Sequence, residues 1–315
     1  MSKVLLEDLQ VVLKVAEFRS ITKAAAHLDM RMATASAALK RAEAALGAEL
    51  FIRTTRQIRL SSAGERYLPE CEKALLLLDQ AKQAMCGSDG KVEGEVRLSL
   101  SSDLGRNVVM PWLDDFMDAH PHISLKATIS DSTIDFYRDS VDMALRYGPP
   151  KDSNLYGFKI CDVPSVLCAT QAYLAQQGTP AHPHDLATHN GLFYQLHDVI
   201  YNVWAFTREG EEYTVKMRGN RASNDGDLVR RWCVAGKGVA VKSCLDMCAD
   251  LLAGRVVNVL PHFTPRTSEL WLICPSRQSI TPAMRLLRDA FKAKSALMLE
   301  QLAAAGVIST DKLKS

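Results

Sequence analysis

Two adjacent serines lie where an anion-binding site is easily built. Ser101 and Ser102 end the predicted strand EVRLSLSS (95–102) and begin a predicted helix. Backbone N–H groups at a helix N-terminus are free, and with the serine hydroxyls they suit a carboxylate. The alternative is a plain helix cap, which Ser102 or Asp103 would supply alone. Asp103 disfavours an anionic ligand, so Arg106 or Arg146 would have to offset its charge.

Other patterns that suggest a metal site or an enzyme fail on their spacing. Four neighbouring histidines match no metal-ligand pattern, so no metal or other cofactor is predicted. These are His182, His184, His189 and His197. The tripeptide GKG (236–238) lacks the remaining glycines and the Lys-Ser/Thr pair of a phosphate loop. No Ser-His-Asp set is evident in the local sequence, so we predict that the chain is not an enzyme, although a triad formed only in space would escape this reading.

The cysteines indicate a reducing compartment. The eight cysteines are scattered, and the N-terminus is too charged for a signal peptide, which predicts free thiols in a cytoplasmic protein. Cys244 and Cys248 are one helical turn apart, as two buried helix cysteines or a thiol switch would be. No apolar run approaches the length of a membrane span, so no membrane association is predicted.

Positive charge is concentrated at the N-terminus. The 315 residues carry a net charge of +2, but residues 1–60 hold ten basic and six acidic side chains. A basic N-terminal region on a mildly acidic remainder suits a local anionic partner such as DNA.

The same region has the element pattern of a DNA-binding domain. Apolar residues at helical spacing from Leu5 to Ala16 predict a first helix, followed by short helix 22–28 and a third helix over 32–46 that Gly47 ends. The alternation in LFIRTTRQIRLS (50–61) predicts a hairpin, which completes a winged helix–turn–helix.

A long helix and an α/β region follow. SSAGERYLPECEKALLLLDQAKQAMCG predicts one helix to Gly87, whose four consecutive leucines serve either intradomain packing or dimerisation. Beyond the linker 87–94, strand–helix alternation predicts an α/β region with a largely parallel sheet. The last fifteen residues, 301–315, are predicted to be a frayed tail.

The order of several short motifs resembles that of LysR-type transcriptional regulators. The motifs are AA at 24–25, Ser36, LG at 46–47, LF at 50–51, Arg53 and SSAG at 61–64. Similarity continues through VDMALRYGPPKDSNLYGFKI and LCATQAYLAQQGTPAHPHDLATHNGLFY, so it spans about 290 residues.

The resemblance implies an architecture and an assembly. The expected domains are a winged helix–turn–helix at 1–60, a linker helix at 61–90 and an effector-binding domain at 91–300. This last domain would consist of two α/β subdomains resembling type 2 periplasmic binding proteins, 91–163 with 267–297, and 164–266. A small-molecule effector, a carboxylate or aromatic acid, would bind between them. The family usually forms a homotetramer, a dimer of dimers.

The third helix departs from the family where it should read bases. On a helical projection, Ala35, Leu39, Ala42 and Leu46 share one face, and the opposite face should enter the major groove. The family commonly has a serine at the position of Arg31, a glutamine at that of Met32 and an arginine at that of Ala37. Long side chains of the last two kinds read base edges, and both are missing.

Two interpretations of this surface remain open. In one, Met32, Ala33 and Ala37 contact thymine methyls, Thr34 and Ser36 make short polar contacts, and Arg31 reaches a base or phosphate. In the other, affinity depends on phosphates and DNA shape. The predicted DNA-binding residues are Thr22, Arg31, Met32, Ala33, Thr34, Ser36, Ala37, Lys40, Arg41, Arg53, Thr54 and Arg56.

The resemblance also extends the predicted effector site. Residues on opposite sides of the cleft would join the two serines, although Asn224, like Asp225, precedes a predicted helix and would equally serve as its cap. The predicted effector-binding residues are Ser101, Ser102, Ser130, Arg146, Phe193, Tyr194 and Asn224. The sequence therefore predicts an effector-responsive, sequence-specific DNA-binding regulator; the alternative is a solute-binding or transport-type receptor module.

Overall fold

The computed structural model divides into two compact units, residues 1–90 and 91–315. It describes residues 4–53, 58–85, 92–136, 139–150, 152–196, 198–277 and 279–309. No helix in these ranges is long and apolar enough to cross a bilayer.

The first unit is a three-helix domain with a hairpin and a long helix. Its elements are α1 Leu6–Phe18, α2 Ile21–His27, α3 Met32–Leu46, β1 Phe51–Arg53, β2 Ile58–Leu60 and α4 Ser62–Met85. The Ser20 hydroxyl accepts a hydrogen bond from the Lys23 N–H and caps α2. Gly47 ends α3 in the left-handed conformation (φ 67°), as predicted. Val12, Ala24 and Leu39 are fully buried where the three helices meet.

The second unit contains fourteen strands and six α-helices among its described residues. The strands are β3 Gly94–Leu100, β4 Ile123–Ile129, β5 Met143–Tyr147, β6 Tyr156–Val163, β7 Ser165–Ala169, β8 Asn190–Leu196, β9 Val199–Ile200, β10 Val203–Arg208, β11 Glu211–Lys216, β12 Arg218–Ser223, β13 Ala240–Ser243, β14 Val257–Val259, β15 Thr264–Pro265 and β16 Ser268–Cys274. The α-helices are α5 Ser102–Leu104, α6 Met110–Ala119, α7 Gln171–Gln177, α8 Gly226–Val234, α9 Cys248–Leu252 and α10 Pro282–Ala304. A π-helical turn, Gly105–Val109, joins α5 to α6.

These elements form two groups, which we call subdomains one and two. Subdomain one is built on the five-stranded sheet β4-β3-β5-β16-β6. Subdomain two comprises β7 to β15, in three smaller sheets. The chain passes to subdomain two at Pro164 and returns at 266–267. One apolar core contains side chains from both, including Leu98 and Leu145 of the first and Cys168 and Val229 of the second.

The predicted parallel sheet is only partly present. Strand β3 is parallel to β4 and β5, but β16 is antiparallel to both β5 and β6. The reason lies in connectivity: β16 enters the sheet from subdomain two rather than through a right-handed helical crossover. The strand–helix alternation of residues 95–148 correctly indicated the parallel part.

Two further sequence expectations were wrong. Helix α10 continues to Ala304, and both Leu302 and Ile308 are buried, so residues 301–309 pack against the core instead of fraying. Cys244 and Cys248 were expected on one helix, but that helix is only Cys248–Leu252, so Cys244 lies outside it. The hairpin β10–β11 was not predicted. Its turn, Glu209-Gly210, has two positive φ angles, as a two-residue hairpin turn requires.

Candidate functional site

The outward face of α3 is the candidate DNA-reading surface. Ala35, Ala38, Leu39 and Ala42 are buried against the rest of the domain, which leaves the opposite face exposed. The exposed residues are Arg31, Met32, Ala33, Thr34, Ala37, Lys40, Arg41 and Ala44, with Ser36 half-buried. Thr22, the candidate on α2, is also exposed.

Most side chains in the first turns of this face are short, apolar or both. Met32, in the first turn of α3, is 56% exposed. Packing in the folded domain does not explain a methionine at such an exposed position. Ala33 and Ala37 present methyl groups, and Thr34 adds one hydroxyl. Arg31 precedes the helix and its side chain makes no capping bond, so it is available to a ligand. The first two turns of this face can contact thymine methyls, and Arg31 is their one long hydrogen-bonding side chain.

Arg41, predicted to bind phosphate, has an intramolecular partner. Its Nε donates to Asp8 Oδ2 at 3.0 Å and its Nη2 to Asp8 Oδ1 at 2.6 Å. Asp8 on α1 is buried, and this bidentate ion pair provides a hydrogen-bond donor for both of its carboxylate oxygens. The contact joins α1 to α3 and gives Arg41 a structural role that the sequence pattern did not reveal.

A second missed residue, Glu43, fixes the hairpin to α3. Its Oε1 accepts hydrogen bonds from the backbone N–H groups of Leu50 (2.9 Å) and Phe51 (3.2 Å). The start of β1 is thereby held against the helix. The predicted wing residues Thr54 and Arg56, and the side chain of Arg53, lie outside the described residues.

In the second unit, the candidate cleft residues meet at one sheet edge. Ser101 follows β3, Ser130 and Asp131 follow β4, and Arg146 lies near the end of β5. These three strands are parallel, so their carboxyl ends lie side by side. The crevice outside the carboxyl ends of parallel strands is where open α/β sheets bind ligands.

Asp131 is the central residue of this edge, and the sequence analysis missed it. Its Oδ1 accepts the Ser102 N–H at 2.7 Å, and its Oδ2 accepts the Ser102 hydroxyl at 2.5 Å. The N–H of Gly226, the first residue of α8 in subdomain two, reaches Asp131 Oδ2 at 2.9 Å and Ser102 Oγ at 2.8 Å. Asp131 and Ser102 of subdomain one therefore both bind the N-terminus of a helix of subdomain two.

Arg146 and Tyr194 lie beside this contact. The guanidinium of Arg146 is half-buried and donates from Nη2 to Ser99 Oγ at 2.8 Å. Burial lowers its pKa to about 10, against the opposing effect of the Asp131 charge. Burial, and secondarily the Asp131 charge, raise the pKa of Tyr194. The hydroxyl of Ser101 is buried and has no partner among the described residues.

A buried charged cluster lies behind the contact and crosses the same boundary. Lys242 of subdomain two forms an ion pair with Asp103 of subdomain one, and its Nζ donates to the Gly226 carbonyl at 3.0 Å. The hydroxyl of Tyr147 donates to Asp246 Oδ1 at 2.7 Å and lies 2.8 Å from Ser243 Oγ. Burial raises the pKa of Asp246 to about 7, and the Asp103 charge adds to the shift. The charge of Asp103 is therefore offset by Lys242, which the sequence analysis did not name.

Neither of the two residues expected in that role binds Asp103: Arg146 donates to Ser99, and Arg106 binds a different carboxylate. Its Nη1 lies 2.9 Å from Asp225 Oδ2. Asn107 donates to Asp227 at 2.8 Å, so both contacts again join the two subdomains. Polar contacts between the two subdomains therefore extend beyond the contact of Asp131 with Gly226.

Three predicted effector residues have other surroundings. Phe193 is 5% exposed and packs edge-on against Trp204 in the core of subdomain two, so its ring does not line the cleft. Asn224 is exposed, and the neighbouring Asp225 caps α8 by accepting the N–H groups of Asp227 and Leu228. The Ser130 hydroxyl accepts the Ser132 N–H in a local turn.

The histidines and cysteines that the sequence analysis did not predict as functional sites cap a turn, lie within it or are buried, where the structure describes them. His182 caps the turn Pro183–Thr188, and His189 is buried against Tyr173, while His197 lies outside the described residues. Among the described residues, no three His, Cys, Asp or Glu side chains come together as metal ligands. Cys244 and Cys248 are buried free thiols, and burial raises the pKa of Cys248 to about 11, which disfavours the reactive thiolate.

Comparison with known proteins assigns two regions of the chain to known domain families. Residues 6–65 match the model of the bacterial regulatory helix-turn-helix protein, lysR family, and residues 89–296 match that of the LysR substrate binding domain. The HTH-type transcriptional regulator DmlR of Escherichia coli is 28% identical over 282 residues, covering 90% of this chain and 92% of that protein.

Two further relatives match over most of their length. An uncharacterized HTH-type transcriptional regulator of Haemophilus influenzae is 30% identical over 275 residues, covering 87% of this chain and 95% of that one. Among solved structures, CrgA, a LysR-type transcriptional regulator from Neisseria meningitidis, superposes with a TM-score of 0.59 at 26% identity, covering 93% of this chain and 99% of that one. These matches give no support to a solute-binding or transport module.

Proposed function

Because this chain belongs to the LysR family of bacterial transcriptional regulators, with a helix-turn-helix domain and an effector-binding domain, we propose how its own residues divide these two tasks. The exposed face of α3 binds operator DNA, and the cleft at the carboxyl edge of β3, β4 and β5 binds a small effector. The observation that carries the proposal is the cleft itself, where Ser102 and Asp131 of subdomain one bind α8 of subdomain two. A ligand there changes how the subdomains meet.

The DNA contacts we propose follow the exposed chemistry of α3. Met32, Ala33 and Ala37 contact thymine methyls, Thr34 makes a short polar contact, and Arg31 reaches a base or phosphate. Lys40, at an exposed position one turn further, contacts a phosphate. Arg41 is not included, because its guanidinium is engaged by Asp8.

The effector we propose is a small carboxylate or aromatic acid. The half-buried Arg146 supplies the positive charge, and Ser101, Ser102 and the N–H of Gly226 supply hydrogen-bond donors. Tyr194, whose ring stacks on Tyr201 with 6.2 Å between centroids, offers an aromatic wall for an aromatic acid.

The assembly we propose is a dimer through α4 and a dimer of dimers overall. Leu77 and Leu78 are 50% and 51% exposed in the single chain, although they are large apolar side chains on a helix. A second copy of α4 would cover them. Two-fold pairing would also present two α3 helices to two half-sites on the DNA.

A gel-shift assay with competitor DNA tests the regulator assignment. The full chain should retard a labelled DNA fragment selected for binding. An excess of unlabelled, unrelated DNA of the same length should not abolish this retardation. A thermal-unfolding screen of small carboxylates and aromatic acids tests the cleft, since a bound ligand raises the melting temperature. If unrelated DNA abolishes the retardation as effectively as the unlabelled selected fragment does, the proposed function is refuted.

A further inference from the structure

The carboxylate of Asp131 makes the contacts that a carboxylate ligand would make in the cleft. It accepts the Ser102 N–H, the Ser102 hydroxyl and the Gly226 N–H, at 2.7, 2.5 and 2.9 Å. Backbone N–H groups at helix starts and serine hydroxyls are the donors by which proteins hold carboxylates. The donors of the effector cleft are therefore already used by a side chain of the protein.

We propose that Asp131 is an internal ligand of the effector cleft, which holds the two subdomains together until the carboxylate of an effector displaces it. This inference rests on the proposed function, because it takes the cleft as the effector site. It adds the mode of binding, which is exchange of one carboxylate for another.

Charge favours exchange over simple addition. Within the described residues, Asp131 forms no ion pair with a lysine or arginine, and Arg146 forms none with a carboxylate. The two charges are nonetheless near each other, since burial lowers the pKa of Arg146 and the charge of Asp131 opposes that shift. An added anion would place two carboxylates on the same donors, which is costly. Exchange keeps the charge of the cleft unchanged.

The position of Asp131 in the chain allows it to leave. It follows β4 in a segment without regular secondary structure, and the next two residues, Ser132 and Thr133, are exposed. Ser102 and Gly226, by contrast, are buried at the starts of helical segments. The donors, Ser102 and Gly226, are thus held in helical segments. The acceptor, Asp131, lies in a loop, as a displaceable ligand needs to do.

Release of Asp131 would loosen one of several contacts between the subdomains. Arg106–Asp225, Asn107–Asp227 and Lys242–Asp103 would remain. An effector that replaced Asp131 would carry its own shape into the cleft, so the subdomains would settle in a different relative position. That difference is what an effector must provide to shift a regulator between states.

Chemical rescue by acetate tests the proposal, because acetate is the group that Asp131→Ala removes. The full chain and the variant are unfolded thermally in sodium acetate and in sodium chloride of equal ionic strength. We expect acetate to stabilise Asp131→Ala in a saturable manner, with an apparent Kd at least about tenfold lower than for the unsubstituted chain. Asp118→Ala, at an exposed aspartate of α6, is the matched control and should respond like the unsubstituted chain.

Two further variants decide the outcome. Asp131→Asn keeps the size of the side chain but cannot accept all three hydrogen bonds, so it should also bind acetate more tightly than the unsubstituted chain; it replaces Asp131→Ala if that variant does not fold. Adding Ser102→Ala to either should abolish the rescue. Equal acetate affinity in the unsubstituted chain and the folded Asp131 variants would overturn the proposal.

The gel-shift assay on the same preparations separates the two claims. Selective DNA binding without an acetate difference refutes the role of Asp131 alone. Failure of the unsubstituted chain to bind DNA selectively refutes the proposed function, whatever acetate does.

Discussion

At the scale of single residues, the structure separates exposed side chains without an intramolecular role from exposed side chains that stabilise the fold. Met32 and Arg41 show the difference on one helix. Met32 is 56% exposed and has no packing role, whereas Arg41 holds the buried carboxylate of Asp8. Helical periodicity predicted the outward direction of Arg41, whereas Met32 was a candidate only through the resemblance to the family. It could not predict the partner of Arg41, since Asp8 is 33 residues away along the chain.

The α3 surface predicts a change of operator preference on substitution. Ala37→Arg places a long donor among the methyl groups of the first two turns, so it should favour sites with guanine where the unsubstituted chain favours thymine. Selection from a random DNA library followed by sequencing measures the change. Ala44→Arg, at the far end of the exposed face, is the control and should leave the selected sequence unaltered. An unchanged motif for Ala37→Arg would show that α3 does not read bases at that position.

Neighbouring basic residues of α3 should respond in opposite ways. Lys40→Ala should lower the salt dependence of DNA binding by about one ion and leave thermal stability unchanged. Arg41→Ala should lower the melting temperature of the first unit, because it leaves Asp8 buried and unpaired. Titrations at several salt concentrations and calorimetry on both variants provide the test. If Lys40→Ala lost thermal stability and Arg41→Ala did not, the two assignments would be contradicted.

Asp246 should make the stability of the second unit depend on pH. Burial raises its folded-state pKa to about 7, above the value of about 3.9 in an unfolded chain. Its stabilising contribution is therefore full below about pH 4 and is lost as the pH rises through 7. Asp246→Asn should flatten this part of the profile, while the Tyr147 hydroxyl keeps an acceptor. Denaturant unfolding from pH 5 to pH 8 measures it, and equal slopes for both proteins would contradict the assignment.

At the scale of elements, sequence periodicity predicted the helix boundaries that depend on neighbouring residues in the chain. The boundaries of α3, including its left-handed Gly47, follow from the apolar spacing and the glycine, and both were predicted. Strand β16 shows the limit, because its antiparallel place between β5 and β6 depends on a return from subdomain two. Asp131 was missed for a related reason. Its importance comes from the Gly226 N–H, 95 residues away, which no local pattern indicates.

The linker helix yields a prediction about assembly. Replacing the exposed Leu77 and Leu78 of α4 with glutamate should weaken self-association, since the charges would have to be buried at the helix contact. Sedimentation velocity over a concentration series measures this. Arg66→Glu, exposed on the same helix, is the matched control and should assemble as before. Unchanged assembly of the leucine variant would place the dimer contact elsewhere.

At the scale of the whole molecule, the two units carry complementary chemistry. The first concentrates positive charge and exposes a helix face with little hydrogen-bonding capacity, and the second contains a cleft whose donors are held by Asp131. The family match assigns DNA binding to the first unit and effector binding to the second. On the proposals above, the identity of each ligand depends on a few residues, chiefly Met32 and Ala37 in one unit and Asp131 and Arg146 in the other.

Footprinting of the full chain on a library-selected DNA fragment, with and without the carboxylate that gives the largest thermal shift, tests this account most directly. It predicts a protected region with two half-sites about one helical turn apart, or a multiple of that spacing, whose extent changes when the carboxylate is added. Protection without sequence preference, or a footprint that no stabilising carboxylate alters, would contradict it.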